Sequence, residues 1–204
     1  MRDFAQFAWH PHGSRPHVFA LPGPALHAAC EQAVSQLPGW HRDWATIVTP
    51  VPARLRHLTV AWVDIPTHAG GPDRWHAAHA SLTRQVSRLA PLTVTATAVT
   101  STPGGIIITT QPDPGWTALT TAVGEALTEV YDRALVHIDT DPHVAVAYGC
   151  RDVDTDPLEI ALPSTIDTVV DEVKLVDNDS FAAAPGWDHS TARAVALTGA
   201  TADR

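Results

Sequence analysis

Two short apolar stretches, 86 residues apart, are written in the same pattern: "RHLTVAWV" (56–63) and "PHVAVAYG" (142–149). Each runs His, apolar, small, Val, Ala, aromatic, from His57 to Trp62 and from His143 to Tyr148. Both read as buried β-strands, and each is preceded by helical and strand material of comparable length. An internal duplication writes a chain this way, with one histidine at the same point of a strand in each of two related lobes. A strand sends residues i and i+2 to one face. His57 therefore shares a face with Thr59, and His143 with Ala145. On an unbroken strand Trp62 and Tyr148, five residues on, point to the opposite face and serve packing or the edge of a pocket.

The rest of the chain alternates between helix and strand patterns. "PHVFALP" (16–22) is a short strand stopped by Pro22 and Gly23, and its Phe19 is a candidate pocket residue. Leu26, Cys30, Ala33, Val34 and Leu37 recur at helical spacing up to Pro38-Gly39. A second helix carries a stripe of Trp75, His79, Leu82, Val86 and Leu89, and a third one of Trp116, Leu119, Val123, Leu127 and Val130. "LTVTATAV" and "GIIITTQP" are strands around the turn "STPGG". "PLEIALPSTI" reads as a short helix or loop, and "DEVKLVDND" and "WDHSTARAVALTG" as a closing strand pair. Strands that come in pairs favour an α+β chain with antiparallel sheets over a doubly wound parallel one.

Composition limits the function. The 204 residues suffice for one large domain or two lobes, and 45% hydrophobic with 17% charged content is that of a globular chain. A net charge of −9 argues against an extended nucleic-acid surface but leaves room for one phosphate or one RNA end. Lys174 is the single lysine among 13 basic residues, which favours small substrates over long strands. Cys30 and Cys150 have no disulfide or metal spacing. The chain carries no membrane-length apolar run and its N-terminus no apolar signal region, so the expected location is the cytoplasm.

The paired motifs, His57-Leu58-Thr59-Val60 and His143-Val144-Ala145-Val146, resemble the two H-x-T/S-x signatures of the 2H phosphoesterase superfamily, within the branch labelled 2′-5′ RNA ligase-like or cyclic phosphodiesterase. "HVFALP", "HVAVAYG" and "VDEVKLVDND" resemble that family's flanking strands, so the likeness runs from about residue 16 to the C-terminus. It implies a bilobal, pseudo-twofold α+β fold, with two antiparallel sheets flanked by helices around a central cleft. It divides the chain into an N-terminal extension (1–15) and a single bilobal domain (16–204). It also implies a metal-independent reaction, without cofactor, on 2′,3′-cyclic or 2′-5′-linked nucleotide or RNA-end phosphodiesters, or ligation in the reverse sense. The expected state is a monomer.

Opening a cyclic phosphate needs a base for water and an acid for the leaving oxygen, and two imidazoles on opposite sides of phosphorus suit both tasks. His57 and His143 are the expected catalytic pair, and Thr59 the expected phosphate-binding hydroxyl. Ala145 departs from the pattern, because it has no hydroxyl. Two alternatives stay open: a nucleotide- or phosphate-binding protein of the same fold with weakened catalysis, and a phosphodiesterase acting on a non-RNA metabolite. Other polar clusters are weaker. His10 and His12 in "WHPHG" are spaced like metal ligands without partners, as are His76 and His79 on the second helix. The run "RDVDTDPLE" (151–159) lacks the central Gly and spaced Glu of a calcium loop.

Overall fold

A computed structural model describes residues 1–2, 15–111, 113–179, 186–187 and 192–199. The first half contains β1 (Arg15–Ala20), α1 (Pro24–Trp40), the single turn α2 (Trp44–Ile47), β2 (Val48–Pro50), β3 (Leu58–Val63) and α3 (Gly71–Val86). The second contains β4 (Leu92–Thr102), β5 (Gly105–Thr110), α4 (Pro114–Thr128), β6 (Val136–Ile138), β7 (His143–Gly149) and β8 (Glu159–Val170). β9 (Glu172–Asp179), β10 (Gly186–Trp187) and β11 (Arg193–Ala196) close the described chain.

The fold is α+β. The strands lie in the order β10-β9-β1-β3-β7-β5-β4-β8, with β11 also on β9, and every pairing is antiparallel. The two expected sheets are the two halves of this order, and they are joined at β3 and β7 through the pair Leu58–Val144. Beyond that pair the two strands part company. β2 pairs with β7 (Val48 to Gly149, Pro50 to Ala147), and β6 pairs with β3 (Ala61 to Ile138, Val63 to Val136). Each half thus lends a short strand to the other. The helices follow the same exchange: α1 packs on β7 and β8, and α4 on β3, β4 and β6.

All helix stripes turn to one side of the sheet. Leu26, Cys30 and Leu37 of α1, Leu82 and Val86 of α3, and Trp116, Leu119, Val123 and Leu127 of α4 form one core with Val18, Val60, Ala61, Val144 and Val146 from the strands. Asp113 caps α4 by accepting from the amides of Gly115 and Trp116 at 2.6 and 3.1 Å. The opposite side of the sheet carries a smaller apolar cluster of Phe19, Val51, Leu55 and Val176, against which Ala145 and Tyr148 pack.

"PLEIALPSTI" forms a strand, not the expected helix or loop. It is the start of β8, the outermost strand beside β4. Pro163 disguises it: proline cannot donate to a ladder, but it is tolerated on an edge strand. His10 and His12 lie outside the described residues.

Gly105 is fixed by close approach. A Cβ there would collide with the carbonyl oxygen of Ala147 and sit 3.2 Å from the Tyr148 Cα. Gly105→Ala is expected to lower the unfolding free energy by about 1–3 kcal/mol, as overpacking does, read from urea denaturation midpoints. An unchanged midpoint would show that β5 and β7 do not approach this closely.

Candidate active site

The antiparallel pair Leu58–Val144 fixes what its neighbours do. Residues directly opposite share a face and alternate residues point the other way, so His57 and Thr59 share a face with His143 and Ala145. All four motif positions lie on the side of the sheet away from the helices. β1 supplies Phe19 opposite Thr59, and β5 supplies Ile107 opposite Ala145 and Thr109 opposite His143.

The two histidines are held in the same way. His57 Nδ1 is 2.8 Å from the Leu55 carbonyl oxygen, and His143 Nδ1 is 2.9 Å from that of Asp141, in each case two residues back. A carbonyl only accepts, so both rings carry a hydrogen on Nδ1 and donate it. Nε2 is then the nitrogen each ring can turn to a reacting group. Phe19 packs on His57 with ring centroids 5.2 Å apart, and His17 meets it edge-on at 5.3 Å and 83°.

Their electrostatics differ. Burial, reinforced by the charge of His143, pushes His57 down to about 4 against the opposing bond to Leu55. His143 is about a third exposed, and its Nδ1 lies 3.6 Å from an Asp139 carboxylate oxygen. Burial pushes the Asp139 carboxyl up, against the pull of His143. Burial also pushes the Tyr148 phenol up to about 12.

Trp62 and Tyr148 do not point away from the histidines as an unbroken strand requires. Val18 pairs with Ala61 and the next residue, Phe19, with Thr59, so Val60 is an extra residue in β3. Ile106 pairs with Ala147 and Ile107 with Ala145, so Val146 is the extra residue in β7. These are β-bulges at equivalent points of the two motifs, and each reverses the alternation beyond it. Val60 with Ala61, and Val146 with Ala147, all enter the helix-side core. Trp62 then stands opposite His17 and stacks on His137 at 5.2 Å and 12°. Tyr148 joins the Phe19 cluster.

Two polar residues beyond the sequence candidates belong to the same face. His17 is buried on β1, with Nε2 3.2 Å from Thr59 Oγ1. Its Nδ1 is 2.9 Å from the Asn178 Nδ2 on β9. His17 was within reach of sequence parity, since it lies two before Phe19. Asn178 was not, because the pairing of β9 with β1 leaves no local mark. Of the arginines near the motif, Arg56 turns to the helix side and pairs with Glu31 at 2.6 Å, and Arg15 pairs with Asp64 at 3.1 Å. Among the described residues no group of three His, Cys, Asp or Glu converges as metal ligands, and no helix is long and apolar enough to cross a membrane.

No protein-family profile and no curated protein matches the chain. Solved structures do. TT0787 of Thermus thermophilus superposes with a TM-score of 0.68 at 18% identity, covering 91% of this chain and 98% of that one. LigT of E. coli, solved with NADP⁺, gives 0.59 at 17%, covering 92% and 99%. A protein described as a phosphoesterase gives 0.58 at 17%, covering 91% and 96%. LigT has also been solved with 3′-AMP, ATP and phosphate. The chain shares the fold of these proteins, which is the 2H phosphoesterase fold.

The depressed His57 makes the folded chain resist a proton that the unfolded chain accepts below about pH 6.5. Stability is therefore expected to fall as pH drops from about 6.5 toward 4, and less so in His57→Gln. Urea midpoints measured at successive pH values check this. Identical slopes for the two proteins would show that His57 protonates like a free imidazole.

Proposed function

We propose that this chain is a metal-independent 2H-type phosphodiesterase, and that it opens 2′,3′-cyclic or 2′-5′-linked nucleotide phosphodiesters with His57 and His143 as its acid–base pair. One observation carries the reading: two imidazoles at equivalent points of adjacent strands, each tied through Nδ1 to the carbonyl two residues back. The fold shared with LigT, and the nucleotides in the LigT structures, support a nucleotide substrate. The net charge of −9 supports a small one.

The roles follow from the surroundings. His57, neutral near pH 7, uses its Nε2 lone pair to take a proton from water, and the water oxygen attacks phosphorus. The bond from phosphorus to one ribose oxygen breaks, and His143 protonates that oxygen through Nε2–H. The Asp139 carboxylate beside Nδ1 faces the charge His143 carries before the step. Proton exchange with solvent then restores both rings. The Thr59 hydroxyl donates to a non-bridging oxygen. Ala145, on the same face, has no hydroxyl to offer, and this favours a slow enzyme or a binding protein as the second reading.

Turnover of 2′,3′-cyclic nucleotides in the presence of a chelator tests the proposal. His57→Ala and His143→Ala should each lower it by about 10²–10⁴-fold, and only His57→Ala should also remove the fall of kcat/KM near pH 4. Turnover like the wild type in either variant overturns the assignment. Ala145→Ser should raise the rate, by up to about 10²-fold, the worth of one such donor. Nucleotide binding without turnover in the wild type would favour the second reading.

A further inference from the structure

We infer that Asn178 and His17 form a relay that aims the Thr59 hydroxyl hydrogen at the phosphoryl group. The inference rests on the proposed phosphate site, and it makes His17 and Asn178 positioning residues for it. They stand on three adjacent strands, β9, β1 and β3, and their side chains connect in sequence. Asn178 Nδ2 lies 2.9 Å from His17 Nδ1, and His17 Nε2 lies 3.2 Å from Thr59 Oγ1. Asn178 and His17 are buried, at 6% and 4% exposure, and buried polar groups are held by their partners.

Proton positions follow along the chain. An amide N–H donating to Nδ1 requires a lone pair there, so a neutral His17 ring carries its hydrogen on Nε2. Burial and the neighbouring His57 hold His17 well below the usual imidazole range, which keeps the ring neutral. Nε2–H then donates to Thr59 Oγ1. With one lone pair engaged, the threonine hydrogen is left to donate to another acceptor.

The second half provides an internal comparison. The position equivalent to Thr59 is Ala145, and the position equivalent to His17, opposite Tyr148 on β5, is Gly105. Hydroxyl and supporting ring are present together in one half and absent together in the other. The phosphoryl group is thus held from one side, by a hydroxyl whose direction is set from β9.

Asn178→Asp tests the relay. A carboxylate only accepts, so it draws the His17 hydrogen to Nδ1, and Nε2 must then take the hydrogen of Thr59. At pH 8, kcat on 2′,3′-cyclic AMP should fall about 10-fold or more with KM little changed. In a Thr59→Ala background the same substitution should cost nothing further, and fully additive losses overturn the relay. ¹⁵N spectra should place the His17 hydrogen on Nε2 in the wild type and on Nδ1 in Asn178→Asp; a wild-type hydrogen on Nδ1 overturns it. His17→Gln, which retains an amide donor, should keep more activity than His17→Phe, and equal losses count against the relay. If the wild type turns over no cyclic nucleotide, the hydrolytic reading falls, while the ¹⁵N spectra and the same double-variant cycle on inorganic phosphate affinity still decide the relay.

Discussion

The candidate site depends on β3 and β7 running antiparallel beside each other through Leu58 and Val144. One hydrogen-bonded pair sets the register, and the register sets the face. A slip of one residue would turn His57 and Thr59 into the helix-side core and expose Leu58 and Val60. The apolar residues between the polar ones guard against that slip. Leu58, Val60, Val144 and Val146 are fully buried under the helices, so such a one-residue slip costs hydrophobic contact.

The same face is furnished differently in the two halves. His17 and Thr59 stand on β1 and β3, whereas Gly105 and Ala145 occupy the equivalent positions on β5 and β7. Two halves with matching strands therefore carry an asymmetric surface. Its two histidines keep a common backbone anchor, but burial lowers His57, while His143 stays partly exposed beside a carboxylate. Equivalent side chains in unequal surroundings are how one residue type is given two roles.

Much of this was legible in the chain. The repeated His-apolar-small-Val-Ala-aromatic pattern located both central strands, and the helical stripes led by Leu26, Leu82 and Trp116 located the covering layer. The bulges were harder to see. A strict period of two sends Trp62 and Tyr148 away from the histidines, yet the adjacent apolar pairs Val60-Ala61 and Val146-Ala147 mark where that period breaks. β8 was hidden by Pro163, whose effect depends on whether a strand is central or at an edge, a property of the assembled sheet. His17 was visible on β1, but its meaning came from β9, more than 150 residues further along.

The exchange of β2 and β6 bears on how the chain acquires its shape. β2 finds its partner about a hundred residues downstream, and β6 finds its own about seventy-five upstream. Neither half can complete its ladder while the other is absent, so a nascent chain released only as far as α3 has an open strand edge and no site. Loop closure over such separations must be met before the contacts reward it, which places this fold among the slow, high-contact-order topologies. Synthesis must run past β7 before the two histidines can meet, and until then the unpaired edges of β2 and β3 are open to wrong pairing.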